Sequence, residues 1–279
     1  MGLFMKSICI LAGRGVYPVE LAESARAAGV ERVVAVGFRG ETRRELAKVV
    51  DELRWVYVGH LQSLLEAVKD LEVEEAVMAG QIRPSNLFLT RLDAPMRALL
   101  ASLPRRNADT IFGAVGEELA TLGVTLSHAG RFMESRMPKE GVLTAREPSP
   151  EEWADIRQGF ELAKVSAAYK AGQAVVIKRG TVIAVEGFEG TDQMIRRAGK
   201  VGGKGGVVVK VAQPAHDMRF DIPVVGMRTL QSLQKAGCSC LALEAGHAVV
   251  LERERFVSGA DRLGIAVAVV SEKGRTEDV

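Results

Sequence analysis

Ser7-Ile8-Cys9-Ile10-Leu11-Ala12 runs straight into Gly13-Arg14-Gly15-Val16-Tyr17-Pro18, and from there into a segment of helical period that ends near Ala28 and Gly29. A short apolar run of strand length, a glycine turn and a helix opened by proline are the parts of a β-turn-α unit. The same alternation repeats outward from it. Strand-length apolar runs at Arg32–Gly37, Trp55–Gly59, Glu75–Gln81 and Val124–Leu126 alternate with helical segments at Leu61–Leu71 and Asp109–Leu122, the latter closed by Gly123. Strands alternating with helices predict a parallel sheet with crossover helices, so this half reads as a doubly wound, Rossmann-like α/β domain over residues 1–136.

From Met137 to Pro150 the composition shifts to proline, glycine and charge (Pro138, Gly141, Pro148, Pro150), which predicts a linker over 137–150. A different pattern follows. Glu151–Ala171 reads as a helix, and Gln173–Val185 as two strands around a hairpin centre at Lys178-Arg179-Gly180. Further strands at Gly206–Val211 and Cys240–Leu243, a helix at Thr229–Ala236, and a last pair of strands at Ala248–Leu251 and Ile265–Val270 complete a mixed α/β second domain over 151–279.

The chain has 279 residues, 47% hydrophobic and 26% charged, enough for two domains and unlike a disordered or fibrous composition. Thirty-seven basic against 35 acidic residues leave +2, which gives no whole-chain field for gathering nucleic acid; any anion site must be local. Cys9, Cys238 and Cys240 are too few for a disulfide framework and suit a reducing, cytoplasmic setting. There is neither a spanning apolar segment nor a secretory signal, which leaves room for peripheral attachment to a membrane surface.

Four stretches could carry chemistry. The first glycine turn, with Gly13, Arg14 and Gly15, brings backbone amides and a helix N-terminus to the carboxyl edge of the predicted sheet, where phosphates bind. It departs from the dinucleotide fingerprint, because Pro18 replaces the third glycine and no carboxylate ends the second strand. A second turn, Ala79-Gly80-Gln81-Ile82-Arg83-Pro84, should emerge at the same edge and offers Arg83 to an anion. The third is Glu189-Gly190-Thr191-Asp192-Gln193-Met194-Ile195-Arg196-Arg197, where Thr191 or Asp192 is placed to cap a helix with Arg196 near its end, and Lys200, Lys204 and Lys210 follow among glycines. That glycine-lysine stretch is no Walker loop, since Ala198 stands where the first glycine is needed and no Ser or Thr follows Lys204. In the fourth, Pro214 through Gly226, extended backbone would set Asp217, Arg219 and Asp221 on one face, two carboxylates and a guanidinium suited to a divalent cation and a phosphate.

The absences narrow the chemistry. His60, His128, His216 and His247 are scattered without metal-ligand spacing, there is no Gly-x-Ser-x-Gly elbow, and no glutamate-rich helix of the Nudix type. Taken together, the four stretches and Glu244-Ala245-Gly246 resemble the LpxI-type UDP-2,3-diacylglucosamine pyrophosphatases of lipid A biosynthesis, over nearly the whole chain. One departure is Asn107-Ala108-Asp109, where similar proteins tend to carry paired aspartates.

The resemblance implies a two-domain enzyme that binds the lipid nucleotide between its domains and hydrolyses it to UMP and 2,3-diacylglucosamine 1-phosphate (lipid X), with Mg²⁺ as cofactor. It carries an essential role onto Asp221; beside that, Mg²⁺ is expected on Asp221 with Asp217 or Asp192 as a further ligand, and Arg219, Arg196 and Lys210 are expected to supply positive charge. Gly13, Arg14, Gly15, Gly80, Gln81, Arg83, Thr191, Asp192, Arg196, Lys210, Glu244 and Gly246 would meet substrate. A homodimer and a peripheral contact with the cytoplasmic face of the inner membrane are further expectations. Two other readings stand beside it: a dinucleotide-dependent oxidoreductase, from Gly13-x-Gly15 and Arg39, and a non-catalytic nucleotide-sugar or lipid binding protein.

Overall fold

In a computed structural model of the chain, residues 6–82, 91–106, 108–128, 130–213, 219 and 222–271 are described. They divide into two compact units, one up to Met133 and joined by Arg219, the other from Glu134 onward.

The first unit opens with β1 (Ser7–Ala12), α1 (Tyr17–Ala27), β2 (Arg32–Phe38), β3 (Glu52–Val56), α2 (Leu61–Asp70) and β4 (Glu75–Ala79), and continues with α3 (Ala94–Ser102), α4 (Ala108–Thr121) and β5 (Thr125–Ser127). Its five strands are all parallel in the order β3-β2-β1-β4-β5, so the Rossmann-like expectation holds. Both faces of the sheet are covered. Cys9, Leu11, Val34 and Val36 face Leu61, Leu64 and Val68 of α2, Met96 and Leu99 of α3, and Leu119 of α4. Leu21, Ala22 and Ala25 of α1 are buried as well, as are Ile8, Ile10, Val33 and Ala35, the alternate positions of β1 and β2. Burial on two faces is why these strands read as continuous apolar runs without alternation.

Two elements differ from the sequence expectation. β3 lies earlier than Trp55–Gly59, because this edge strand pairs through Glu52-Leu53-Arg54 and its exposed side tolerates charge. α3 was not anticipated; Asp93 caps it, its carboxylate accepting from the Met96 amide at 2.9 Å.

The second unit contains β6 (Gly141–Val142), α5 (Pro150–Ala168), β7 (Ala174–Lys178), β8 (Thr181–Val185), α6 (Thr191–Gly202), β9 (Val207–Lys210), β10 (Val224–Val225), α7 (Met227–Ala236), β11 (Cys240–Glu244), β12 (Val249–Val250), α8 (Arg253–Leu263) and β13 (Ala266–Val270). Six of its strands form a mixed sheet in the order β6-β13-β11-β9-β7-β8, with β13, β11 and β9 parallel and β6, β7 and β8 antiparallel to their neighbours. α5 packs Ile156, Phe160 and Ala163 with Val175, Ile177, Val207 and Val209 in one core. A second core gathers Met194 and Ile195 of α6, Leu230 and Leu233 of α7, and Phe256 of α8 with Val176, Val208 and Leu241.

The expected hairpin is present, and Asp155 of α5 holds its turn by accepting from the Arg179 and Gly180 amides at 2.8 and 2.7 Å. The last two expected strands, Ala248–Leu251 and Ile265–Val270, are present as β12 and β13. β12 pairs in parallel with β10, α8 intervenes, and β13 joins β11. An apolar run records burial and not the identity of its partner, so these pairings come from the structure alone.

The stretch read as a linker is tied into the second sheet. Gly141 and Val142 pair with Val269 and Ala268. Arg146 reaches Glu152 at 2.9 Å and donates to the Gly264 carbonyl at 2.8 Å and to the Ser239 carbonyl. Ser149 and Glu152 close a capping box at the start of α5.

Candidate functional site

In the first unit the two glycine turns leave the carboxyl ends of adjacent strands β1 and β4, where the strand order reverses. They are stitched to each other. The Gly13 amide donates to the Ala79 carbonyl and the Arg14 amide to the Gln81 carbonyl, both at 2.7 Å, and Arg14 and Gln81 form an isolated antiparallel bridge. A Cβ on Gly13 would stand 2.7 Å from the Gln81 oxygen, and one on Gly80, whose φ is +88°, would stand 2.5 Å from the Arg14 oxygen. Close passage of two backbones therefore requires both glycines, whatever ligand the edge receives.

Around this seam Arg14 sits 3.4 Å from Glu41, whose side chain is fully buried. Thr42 donates its hydroxyl to the Ala12 carbonyl and accepts from the Phe38 amide at 2.7 Å. Arg14 is thus a half-exposed cation held by a buried carboxylate. Glu41 and Thr42 carried no local pattern in the sequence, because they arrive from the loop after β2. Arg83 lies outside the described residues.

The second unit gathers more polar groups, at the carboxyl edge of β9 and β11. α6 begins after Gly190, whose φ of +81° makes it the N-cap. Neither Thr191 nor Asp192 takes that position as expected, since a left-handed cap favours glycine. Thr191 becomes the first helical residue and its hydroxyl turns sideways, donating to Glu186 at 2.9 Å and accepting from Lys210 Nζ at 3.0 Å. Lys210 also reaches the Val224 carbonyl at 3.5 Å and has no carboxylate partner among the described residues.

A second group forms from the next residue of α6. Asp192 pairs with Arg228 Nε of α7 at 2.9 Å and accepts from the Ser232 hydroxyl at 3.2 Å. Arg196 touches the same hydroxyl at 3.5 Å. Both Asp192 oxygens are engaged, and two guanidinium groups flank them. Arg228 and Ser232 were missed in the sequence, where they lie on a helix beyond the end of the proline-bounded motif.

Glu244, expected to meet substrate, is 5% exposed. Its carboxylate accepts from the Ala212 amide at 2.7 Å and from Lys164 Nζ at 2.8 Å. Lys164, on α5, was not singled out by any spacing. Gly246 sits in the turn after β11, its amide donating to the Pro138 carbonyl at 3.1 Å. Arg219 is exposed in a turn, its Nη1 3.9 Å from where a Cβ on Gly116 of α4 would stand. Asp217 and Asp221 lie outside the described residues. Among the described residues no group of three or more His, Cys, Asp or Glu side chains could hold a metal. The thiols offer no nucleophile: burial pushes Cys9 and Cys240 up to about 12 and Cys238 to about 11.

A parallel-sheet unit followed by a mixed-sheet unit, the latter bearing Lys210 and Arg196 with no carboxylate partner among the described residues, defines a two-domain α/β protein. The model of the LpxI N-terminal domain matches residues 7–136 and that of the LpxI C-terminal domain residues 139–268; the chain belongs to the LpxI family. A relative named UDP-2,3-diacylglucosamine pyrophosphatase LpxI, from Caulobacter vibrioides, is 29% identical over 283 residues, spanning 97% of this chain and all of that one.

Solved structures are more distant. CobK precorrin-6A reductase is 16% identical with a TM-score of 0.33, over 96% of this chain and 88% of its own. The biotin carboxylase domain of the Hydrogenobacter thermophilus 2-oxoglutarate carboxylase is 15% identical with a TM-score of 0.27, over 64% of this chain and 36% of its own. Among the described residues no helix is long and apolar enough to cross a membrane.

Proposed function

We propose that this chain hydrolyses the pyrophosphate of UDP-2,3-diacylglucosamine to UMP and 2,3-diacylglucosamine 1-phosphate, a step of lipid A biosynthesis. The observation that carries the reading is the match of both family domains together with a same-length relative bearing that name. The chemistry of the carboxyl edge supports it. Among the described residues Lys210 bonds the Thr191 hydroxyl and the Val224 carbonyl, and Arg196 a hydroxyl and an amide oxygen, neutral partners that leave their charge for a phosphate.

In this reading water attacks phosphorus, UMP departs, and Arg219, Arg196 and Lys210 offset the charge that builds on the phosphoryl oxygens. Arg228, held by Asp192, ties the first turn of α6 to the start of α7. Mg²⁺ belongs to the reading as well. The engagement of both Asp192 oxygens by Arg228 and Ser232 removes that residue from the donor set, which leaves Asp217 and Asp221 with phosphate oxygens, a set that suits Mg²⁺. Such an ion would neutralise pyrophosphate charge and orient the phosphoryl group.

The test is UMP release from UDP-2,3-diacylglucosamine, with and without Mg²⁺, by the wild type and by Asp221→Asn. Metal-dependent release by the wild type, reduced by about 100-fold or more in a folded variant, is expected. Absence of release from folded wild type would leave a binding protein, and undiminished turnover in Asp221→Asn would remove that residue from the chemistry.

A further inference from the structure

Three elements of the second unit meet in one buried ion pair. Lys164 projects from α5, Glu244 ends β11, and Ala212 lies two residues beyond the end of β9. Glu244 uses its two oxygens on different partners, Oε1 accepting from Lys164 Nζ at 2.8 Å and Oε2 from the Ala212 amide at 2.7 Å. Lys164 closes the triangle by reaching the Ala212 carbonyl at 3.4 Å. Both faces of one peptide residue are therefore gripped by a charge pair whose side chains are only 20% and 7% exposed. The Lys164 ammonium also stands 6.0 Å from the centroid of the Phe160 ring, which keeps its stem against the core.

Removing such charges from water is costly, and an apolar pair could fill the same volume, so cohesion alone is a poor reason for this arrangement. What the pair fixes is a place in the chain. Two residues before Ala212 stands Lys210, the cation that meets Thr191. A residue pinned through its own amide and carbonyl transmits little slack to its neighbours on either side.

We propose that Lys164 and Glu244 are positioning residues: the pair grips Ala212 so that Lys210, two residues away at the end of β9, is held in register for phosphoryl chemistry, and neither residue touches substrate. This rests on the hydrolase reading above. It reassigns Glu244, whose oxygens are both consumed within the protein.

The experiment compares Lys164→Ala, Glu244→Ala, the double variant, Lys164→Arg and Glu244→Gln with the wild type in UMP release, thermal unfolding and amide hydrogen exchange. Each single alanine variant should lose about 10- to 100-fold in kcat with KM within about threefold, as displacement of a group by an ångström does. The double variant should be no worse than the poorer single one, since one contact is lost either way. Lys164→Arg should recover most of the loss, and Glu244→Gln, which keeps an acceptor for the Ala212 amide, should fold and fall between. Exchange at the Ala212 amide should quicken by at least about tenfold in Glu244→Ala while the amides of β13 keep their protection.

A raised KM at unchanged kcat in Glu244→Ala would make it a substrate ligand and overturn the proposal. Lowered melting temperature with full turnover would make the pair a stabilising contact only, and likewise overturn it. If an alanine variant fails to fold, Glu244→Gln decides, because wild-type kcat there excludes a positioning role for the charge pair. Silence of the wild type on this substrate would sink the hydrolase reading and with it the catalytic part of the proposal; the exchange rates would still decide whether the pair grips Ala212.

Discussion

Gly13 and Gly80 show how a residue pattern with one ordinary meaning can acquire another. Glycines after parallel strands read as room for a phosphate, yet here each makes way for the other's backbone. Gly80→Ala would place a methyl 2.5 Å from a carbonyl oxygen that cannot rotate aside, at a φ that L residues rarely adopt. We expect Gly80→Ala to destabilise the first unit by about 1–3 kcal/mol, read as a melting-temperature drop of several degrees, with or without ligand present. An unchanged melting temperature combined with weakened substrate binding would restore the ligand-contact meaning. Glu41 and Thr42 stand at the other extreme of legibility, because only the return of the loop after β2 to the end of β1 gives them partners.

At the scale of elements, what the sequence disclosed follows burial. β1, β2, β4 and β9 were legible because two covered faces demand unbroken apolar runs; α5 was legible as a helix, although Ser149 and Pro150 at its start, its cap and first residue, read as linker. β3 was misplaced because an edge strand is free to carry Glu52 and Arg54, and the pairing of β12 with β10 was not legible because two valines do not encode a neighbour. α3, with its proline and short length, offered too weak a period, although Asp93 before it was a readable cap. The α6 cluster was legible as a group of residue types but not in its roles, since the choice of Gly190 as cap decided which way Thr191 would face. Asp155 makes a testable point about the β7–β8 hairpin. Its carboxylate, 5% exposed, satisfies both amides of the turn, so Asp155→Ala should cost about 1–3 kcal/mol, and Asp155→Asn less. Chemical denaturation would measure it; equal losses in the two variants would mean that packing and not hydrogen bonding is at stake.

For the molecule as a whole, acid sensitivity should have an identifiable source. Burial by itself would raise the Glu152 carboxyl, but the Arg146 guanidinium, with the Ser239 and Ser149 contacts, outweighs it and holds the group below its ordinary 4.5. A depressed carboxyl contributes its full stabilisation above that value and loses it as pH falls through the folded-state value. The stability of the wild type should therefore decline more steeply than that of Glu152→Gln between about pH 5 and 3, as followed by thermal unfolding. Parallel declines would assign the acid response to other carboxylates. The same arginine has a practical bearing on how the chain can be cut. Composition would place a scissors mark anywhere between Met137 and Pro150, but β6 is a strand of the second sheet, and Arg146 grips Ser239 and Gly264 besides Glu152. A protease should find poor footing there, and a separately expressed second half that began at Pro150 would leave behind one edge of its own sheet and the anchor of its first helix.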